Sequence, residues 1–140
     1  MIDTASLARL ALFVDLPGPQ LQAVAEMMEE ESFAKGAKVV RAGISGSGFY
    51  VITDGEAAVM VGGQDILPSH LRAGDFFGEL SILTGEAVVA DVVAVSDELR
   101  CAVLPDHQLR KLLLDYPHVT LRMLEAMSRR LRATTGLLGA

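Results

Sequence analysis

The residues best placed to do chemistry gather in one stretch of this 140-residue chain, Gly74-Asp-Phe-Phe-Gly-Glu-Leu-Ser-Ile-Leu-Thr-Gly-Glu-Ala-Val-Val-Ala-Asp-Val-Val-Ala94. Gly78 and Glu79 open what reads as one short helical turn. A tight loop follows, then a β-branched strand. Gly78 lets the backbone approach a bound group closely. The amides of Glu79, Leu80 and Ser81 stand at the start of the turn as unpaired donors at a positive dipole end, an arrangement that suits a phosphate oxygen. Glu79 has two readings. It holds a ligand hydroxyl beside that anion site, or it is an N-terminal helix carboxylate that only steadies the turn. The stretch has no cation, since no Lys or Arg occurs between Arg72 and Arg100. Arg41 and Arg72 are the nearest basic residues in sequence. The paired Val88 and Val89 also fit a strand packed as apolar core.

Other chemistries lack their residues. His70, His107 and His118 are scattered without metal-ligand spacing, and the His-x-His with a following Glu of the cupin jelly rolls is absent. There is no nucleophile elbow and no phosphate loop ending in Gly-Lys-Ser/Thr. Asp75, Glu79, Glu86 and Asp91 make no convincing acid–base pair. The expectation is a chain that is not an enzyme, with no catalytic residue, no metal and no resident cofactor.

Charge is uneven. The net −6 divides into −10 over residues 1–109, from 6 basic and 16 acidic side chains, and +4 over residues 110–140, from 6 basic and 2 acidic. An acidic body argues against direct DNA binding by the bulk of the chain. The cluster Arg129-Arg130-x-Arg132 could touch an acidic partner or phosphates, but reads first as a solvated helix face. No apolar run approaches the ~20 residues of a membrane span, and Met1-Ile-Asp-Thr does not read as a secretory signal. Cys101 is the single cysteine, so no disulfide forms within the chain. It reads as a small buried hydrophobe, and a reducing cytoplasm is the expected compartment.

The elements that must position these residues follow from periodicity. Length fits one domain over 1–140, with N-terminal helices in 1–31, a β-roll in 32–104 and C-terminal helices in 105–140. Helices are expected at Ser6–Phe13 and Pro19–Glu31, the second opened by Pro19 after a Leu-Pro-Gly break. Short β-branched runs then alternate with turns: Lys38–Arg41, Phe49–Thr53, Ala57–Val61, Ile66–Leu71, Asp91–Val95 and Leu99–Leu104. Strands at roughly 8–12-residue spacing with Gly-rich turns predict a mainly β fold with flanking helices, a β-roll or jelly roll of about eight short strands. Asp54-Gly55 is a hairpin signal, and Pro68 belongs at an edge or bulge. Asp106 can cap a helix from His107 to Leu114. Pro117 can start a last helix to about Thr135, on which Leu124, Met127, Leu131 and Leu138, with Thr134, repeat in a 3-4 rhythm that predicts a parallel dimer seam. The seam's other reading is packing against the β-roll within one chain.

Three stretches, in order, resemble the cyclic-nucleotide-binding domain, and in the last helix its cAMP receptor protein branch. They are Gly43-x-x-Gly46-x-x-Phe49-Tyr-Val-Ile-x-x-Gly55, the Gly74–Ala94 cassette, and Met127-Ser-Arg-Arg-Leu-Arg-Ala-Thr-Thr135. The resemblance covers nearly the whole chain. It implies a sensor domain whose ligand site is built from Phe77, Gly78, Glu79, Leu80, Ser81, Ala87, Val88, Val89 and Ala90. Glu79 would accept from the ribose 2′-hydroxyl, and Thr134 and Thr135 would meet the adenine across a homodimer, the other reading of these two being helix-end threonines that bond back to their own carbonyls or to water. Ala87-Val88-Val89-Ala90 stands where the family has Pro-Arg-Ser/Thr-Ala. The arginine and hydroxyl that would hold the cyclic phosphate are therefore replaced. cAMP or cGMP is then expected to bind weakly or by a variant mode. A dimerisation or interaction module that has lost its ligand, the sensor half of a transcription regulator, and a domain taking an apolar or neutral ligand are the alternatives. The chain stops where the cAMP receptor branch would begin its DNA-binding helices, so direct DNA binding by this chain is not expected.

Overall fold

Strand boundaries fall at the turn signals. In the computed structural model, which describes residues 1–43, 48–67, 70–88 and 90–137 (the last four by backbone alone), the strands are β1 Glu29–Ala34, β2 Lys38–Val40, β3 Gly48–Asp54, β4 Ala57–Val61, β5 Gln64–Asp65, β6 Phe76–Phe77, β7 Asp91–Ala94 and β8 Glu98–Pro105. The helices are α1 Thr4–Ala8, α2 Gly18–Met27, α3 Glu79–Thr84, α4 Leu109–Asp115 and α5 Pro117–Leu137. The strands form two four-stranded antiparallel sheets, ordered β1-β8-β3-β6 and β2-β7-β4-β5. This is the predicted β-roll with flanking helices.

One sheet serves two cores. Along β3, Phe49 and Val51 point into a cluster with α1, α2, α4 and α5, while Tyr50 and Ile52 point into the roll. β8 divides likewise, with Ala102 and Leu104 toward the helices and Leu99 and Cys101 toward the roll. Alternation of side chains across a strand makes this division. Because both faces of β3 are covered, its apolar run is continuous rather than alternating. Cys101 lies fully buried at this wall, and burial pushes its thiol up to about 12. Arg122 on α5 pairs with Asp15, which ties the last helix to the N-terminal ones.

Three expectations are corrected. The second helix ends at Met27, and Glu29–Ala34 is a strand on β8, with Glu29 opposite Val103 and Ala34 opposite Glu98. Glutamates favour helix locally, but the ladder with β8 overrides that weak preference. Of the run Ile66–Leu71, the described residues Ile66, Leu67, His70 and Leu71 belong to no strand. Pairing stops at β5, and Leu71 meets Ala57 in a single bridge. Pro68 and Gly46 lie outside the described residues. The first helix is short, Thr4–Ala8, capped by Asp3, whose carboxylate accepts from the Ala5 amide at 3.1 Å. The other helices stand close to expectation. Asp106 accepts from the His107 amide at 2.7 Å at the head of a short 3-10 turn that runs into α4.

Candidate functional site

β6 is only two residues long, but it aims the cassette. Phe76 faces the helical core and Phe77 the roll, where its ring stacks on Tyr50 at 4.9 Å. The chain then reverses at Gly78, with φ 92°, straight into α3. The expectation that Gly78 makes room for a ligand has a different basis here. A Cβ built at this position would overlap the carbonyl oxygen of Gly48 on β3. The glycine lets α3 start hard against the sheet. Gly85, with φ 74°, ends the helix, its amide donating to the Ser81 carbonyl at 3.0 Å.

The reversal buries the first residue of α3. Glu79 is 2 % exposed and is the one buried charged residue among those described. Its carboxylate meets a guanidinium from the far end of the chain. Arg130 on α5 lies 3.4 Å from Glu79 Oε1, donates to the Phe76 carbonyl at 2.9 Å and rests 5.0 Å from the centre of the Phe76 ring. Burial pushes the Glu79 carboxyl above its ordinary range, while the Arg130 charge and its own backbone amide pull it back. Arg130 was expected on a solvated face and is instead the residue that sequence reasoning missed. Its signal was periodic. Val119, Met123, Ala126 and Arg130 recur at helical spacing, the first two are fully buried, and the stripe they start leads to the guanidinium.

A carboxyl with a raised pKa is a stability statement. The folded chain binds this proton more tightly than the unfolded one. The contribution of Glu79 to stability therefore falls as pH rises from the ordinary carboxylate range through the raised value, and stays at its lowest above it. Glu79→Gln copies the protonated form and removes this dependence. Thermal melts between about pH 4 and pH 8 are expected to show a variant melting no lower than the wild type at neutral pH. A clearly lower melting temperature there would mean that the Arg130 pair outweighs desolvation.

The rest of the cassette divides. Leu80 is exposed, and the Ser81 hydroxyl is buried without a partner among the described residues. Ser81 borders a separate cavity of about 340 Å³ with Asp106, His107 and Arg110, on the side of α4. Arg110 donates to the Leu83 carbonyl at 2.9 Å across that gap. Ala87 is exposed, Ala90 is buried, and Val88 packs against the roll cluster. The Val88 carbonyl accepts from the Gly43 amide at 2.7 Å, and Asp91 accepts from the Ala42 amide at 2.8 Å. That amide, with Lys38 beside it, holds the Asp91 carboxyl below its ordinary range. Val89, the side chains of Thr134 and Thr135, and Leu138 lie outside the described residues.

Arg72 lies 3.4 Å from Glu56, beside His70, which bridges Glu56 at 3.2 Å and Asp65 at 3.0 Å. Arg41 is exposed and lends Asp91 only a distant charge. Between the roll and α5 is a cavity of about 240 Å³ with apolar walls from Leu67, Leu71, Ala126 and Ala133. His70, Asp75, Arg129 and Arg130 supply its polar edge. On the other side of α5, Leu121, Leu124 and Leu131 are 55 %, 56 % and 67 % exposed, while Met127 packs partly inward.

This geometry has relatives. A cAMP-dependent protein kinase regulatory subunit from Blastocladiella emersonii is 34% identical over 125 residues, covering 87% of this chain and 31% of that protein. The regulatory domain of Toxoplasma gondii PKA, solved with cAMP, superposes with a TM-score of 0.74 at 26% identity, over 89% of this chain and 48% of that one. The regulatory subunit of a cAMP-independent protein kinase A from Trypanosoma cruzi, bound to guanosine, superposes with a TM-score of 0.67 at 28% identity, over 79% and 39%. The chain thus spans less than a third of the curated relative and under half of each solved chain. Residues 30–116, more than half of the chain, match the family described as the cyclic nucleotide-binding domain. With a two-sheet roll, a glycine-started cassette helix and a buried glutamate at its head, this chain belongs to the cyclic nucleotide-binding domain family, as a domain of the kind that protein kinase A regulatory subunits carry.

Proposed function

We propose that the chain is a ligand-sensing regulatory domain that takes its ligand between the α3 cassette and α5, and that it binds cAMP or cGMP weakly or in a variant mode. The observation that carries this reading is Glu79, a carboxylate kept 2 % exposed at the cassette head with Arg130 of the last helix against it. Burying a charge is costly unless it is used or paired. In this reading Glu79 accepts from ribose hydroxyls, Phe77 to Ser81 and Ala87 to Ala90 border the ligand, and Thr134 and Thr135 approach the base. The weakness follows from Val88 and Val89, which bring no charge to a phosphate monoanion. The cAMP-bound T. gondii domain supports a cyclic nucleotide as ligand. The guanosine-bound T. cruzi subunit supports widening the ligand set beyond phosphates. Because a ligand shifts only an equilibrium whose two states it binds differently, the output would be the position of α5. Calorimetric titration with cAMP and cGMP tests the reading. Heat at micromolar to millimolar ligand is expected, and its absence from folded protein overturns it.

A second reading is an interaction module without ligand, favoured by the packing of Val88 against the roll cluster. Both readings use the exposed leucines of α5 as a homodimer seam. Leu124→Asp with Leu131→Asp is expected to turn a concentration-dependent dimer into a monomer in sedimentation while the circular dichroism spectrum stays unchanged. A wild type that is monomeric at high micromolar concentration would remove the seam. No helix among the described residues is long and apolar enough to cross a membrane. A cytoplasmic location and regulation through a partner protein rather than through direct DNA contact complete the proposal.

A further inference from the structure

We infer that the chain carries a second ligand site, between α3 and the start of α4, and that it takes a small zwitterion of the α-amino-acid kind. The site is independent of what binds beside Glu79. Its cavity of about 340 Å³ is bordered by Ser81, Ile82, Glu86, Asp106, His107 and Arg110. It is larger than the cavity of about 240 Å³ between the roll and α5, and no described residue borders both. Its volume stands at the small end of ligand pockets, which run roughly 300–1,000 Å³.

One side of the cavity donates. Arg110 is held in place, because its Nη2 donates to the Leu83 carbonyl at 2.9 Å, one of those that the last turn of α3 leaves open. The guanidinium keeps further N–H groups, and no carboxylate pairs with it among the described residues. The Ser81 hydroxyl is buried on the same cavity and has no partner among the described residues. A buried hydroxyl is costly to leave unmatched. An anchored guanidinium and an unmatched hydroxyl together suit a carboxylate, through charge-assisted bonds.

The other side accepts. Glu86 is exposed, and its carboxylate meets no cation among the described residues. Asp106 accepts from the His107 amide at 2.7 Å through Oδ1, which leaves its other oxygen. These two carboxylates decide the class of ligand. A simple anion drawn to Arg110 is repelled by them, and a simple cation drawn to them is repelled by Arg110. A molecule with a carboxylate and an ammonium a few bonds apart satisfies both signs at once. Ile82 offers its side chain an apolar wall, and the His107 ring a hydrogen bond at the rim.

Free amino acids are the probe, each titrated into isotope-labelled protein and followed by amide shifts. At least one is expected to bind at millimolar concentration or below, moving the amides of residues 81–86 and 106–110 first. Its N-acetyl derivative, without the ammonium, and its carboxamide, without the carboxylate, are each expected to bind about tenfold or more weakly. Glu86→Gln, which loses no ion pair among the described residues, should weaken the amino acid and leave its N-acetyl derivative unchanged. Arg110→Gln should weaken both and spare the carboxamide. An N-acetyl derivative or carboxamide that binds as tightly as its parent overturns the zwitterion. No shift at these residues from any amino acid, in protein whose spectrum shows it folded, overturns the site.

Discussion

Val88→Arg with Val89→Ser is expected to raise affinity for cAMP or cGMP by about 30-fold to several-thousand-fold. The size follows from a charge-assisted contact to a phosphate monoanion, where loss of one partner of a buried charge pair costs about 2–5 kcal/mol and each ~1.4 kcal/mol is tenfold. The new guanidinium would sit in a loop whose backbone is already fixed, because the Val88 carbonyl is bonded to the Gly43 amide. The long stem of arginine can keep part of the contact that Val88 makes with the roll cluster. The expected loss of stability is therefore modest, about 1 kcal/mol. Side-by-side calorimetry of both proteins decides it. A folded variant with unchanged affinity would show that residues 87–90 are not the phosphate wall.

Gly78→Ala is expected to lower stability by about 3 kcal/mol or more, with no ligand involved. Two costs combine. A side chain at φ 92° is strained by roughly 1–2 kcal/mol. The added methyl also overlaps the Gly48 carbonyl, and overpacking a fixed backbone typically costs about 1–3 kcal/mol. In a domain of this size the melting temperature should fall by roughly 10 °C or more. Gly85→Ala is the control. Its φ is 74°, yet nothing lies within 4 Å of the added Cβ, so only the strain is paid and a fall of a few degrees is expected. Equal falls in the two variants would mean that the approach of α3 to β3 is not close in solution.

The comparison explains what could be read from the chain and what could not. The turns were legible because glycine spacing is a local signal, and they delimit β2, β3, β4 and β7 closely. Cassette and last helix were legible because their pattern is continuous in sequence. β1 was hidden because three glutamates look helical until β8, some seventy residues later, supplies their ladder. β6 was hidden because two residues cannot show a period. The site splits along the same line. Gly78 and Glu79 stand together in sequence and were found together. Arg130 is 51 residues from Glu79, and its charged neighbours Arg129 and Arg132 suggested a wet face. Only the inward stripe of α5 gave it away, and that stripe is visible once Val119 and Met123 are known to be buried.

The strand that escaped the sequence reading has a use of its own. β1 is an outer strand of its sheet, and Glu29, Glu30 and Glu31 all lie exposed on it. An open strand edge invites a second chain to continue the sheet, which is a route to aggregates, and charge on the edge discourages it. Three successive carboxylates would have to be brought against three more if two copies met edge to edge. The glutamates that disguise β1 as helix thus guard it as a strand, so that in the proposed homodimer like chains would meet through the leucines of α5 and not by extending this sheet.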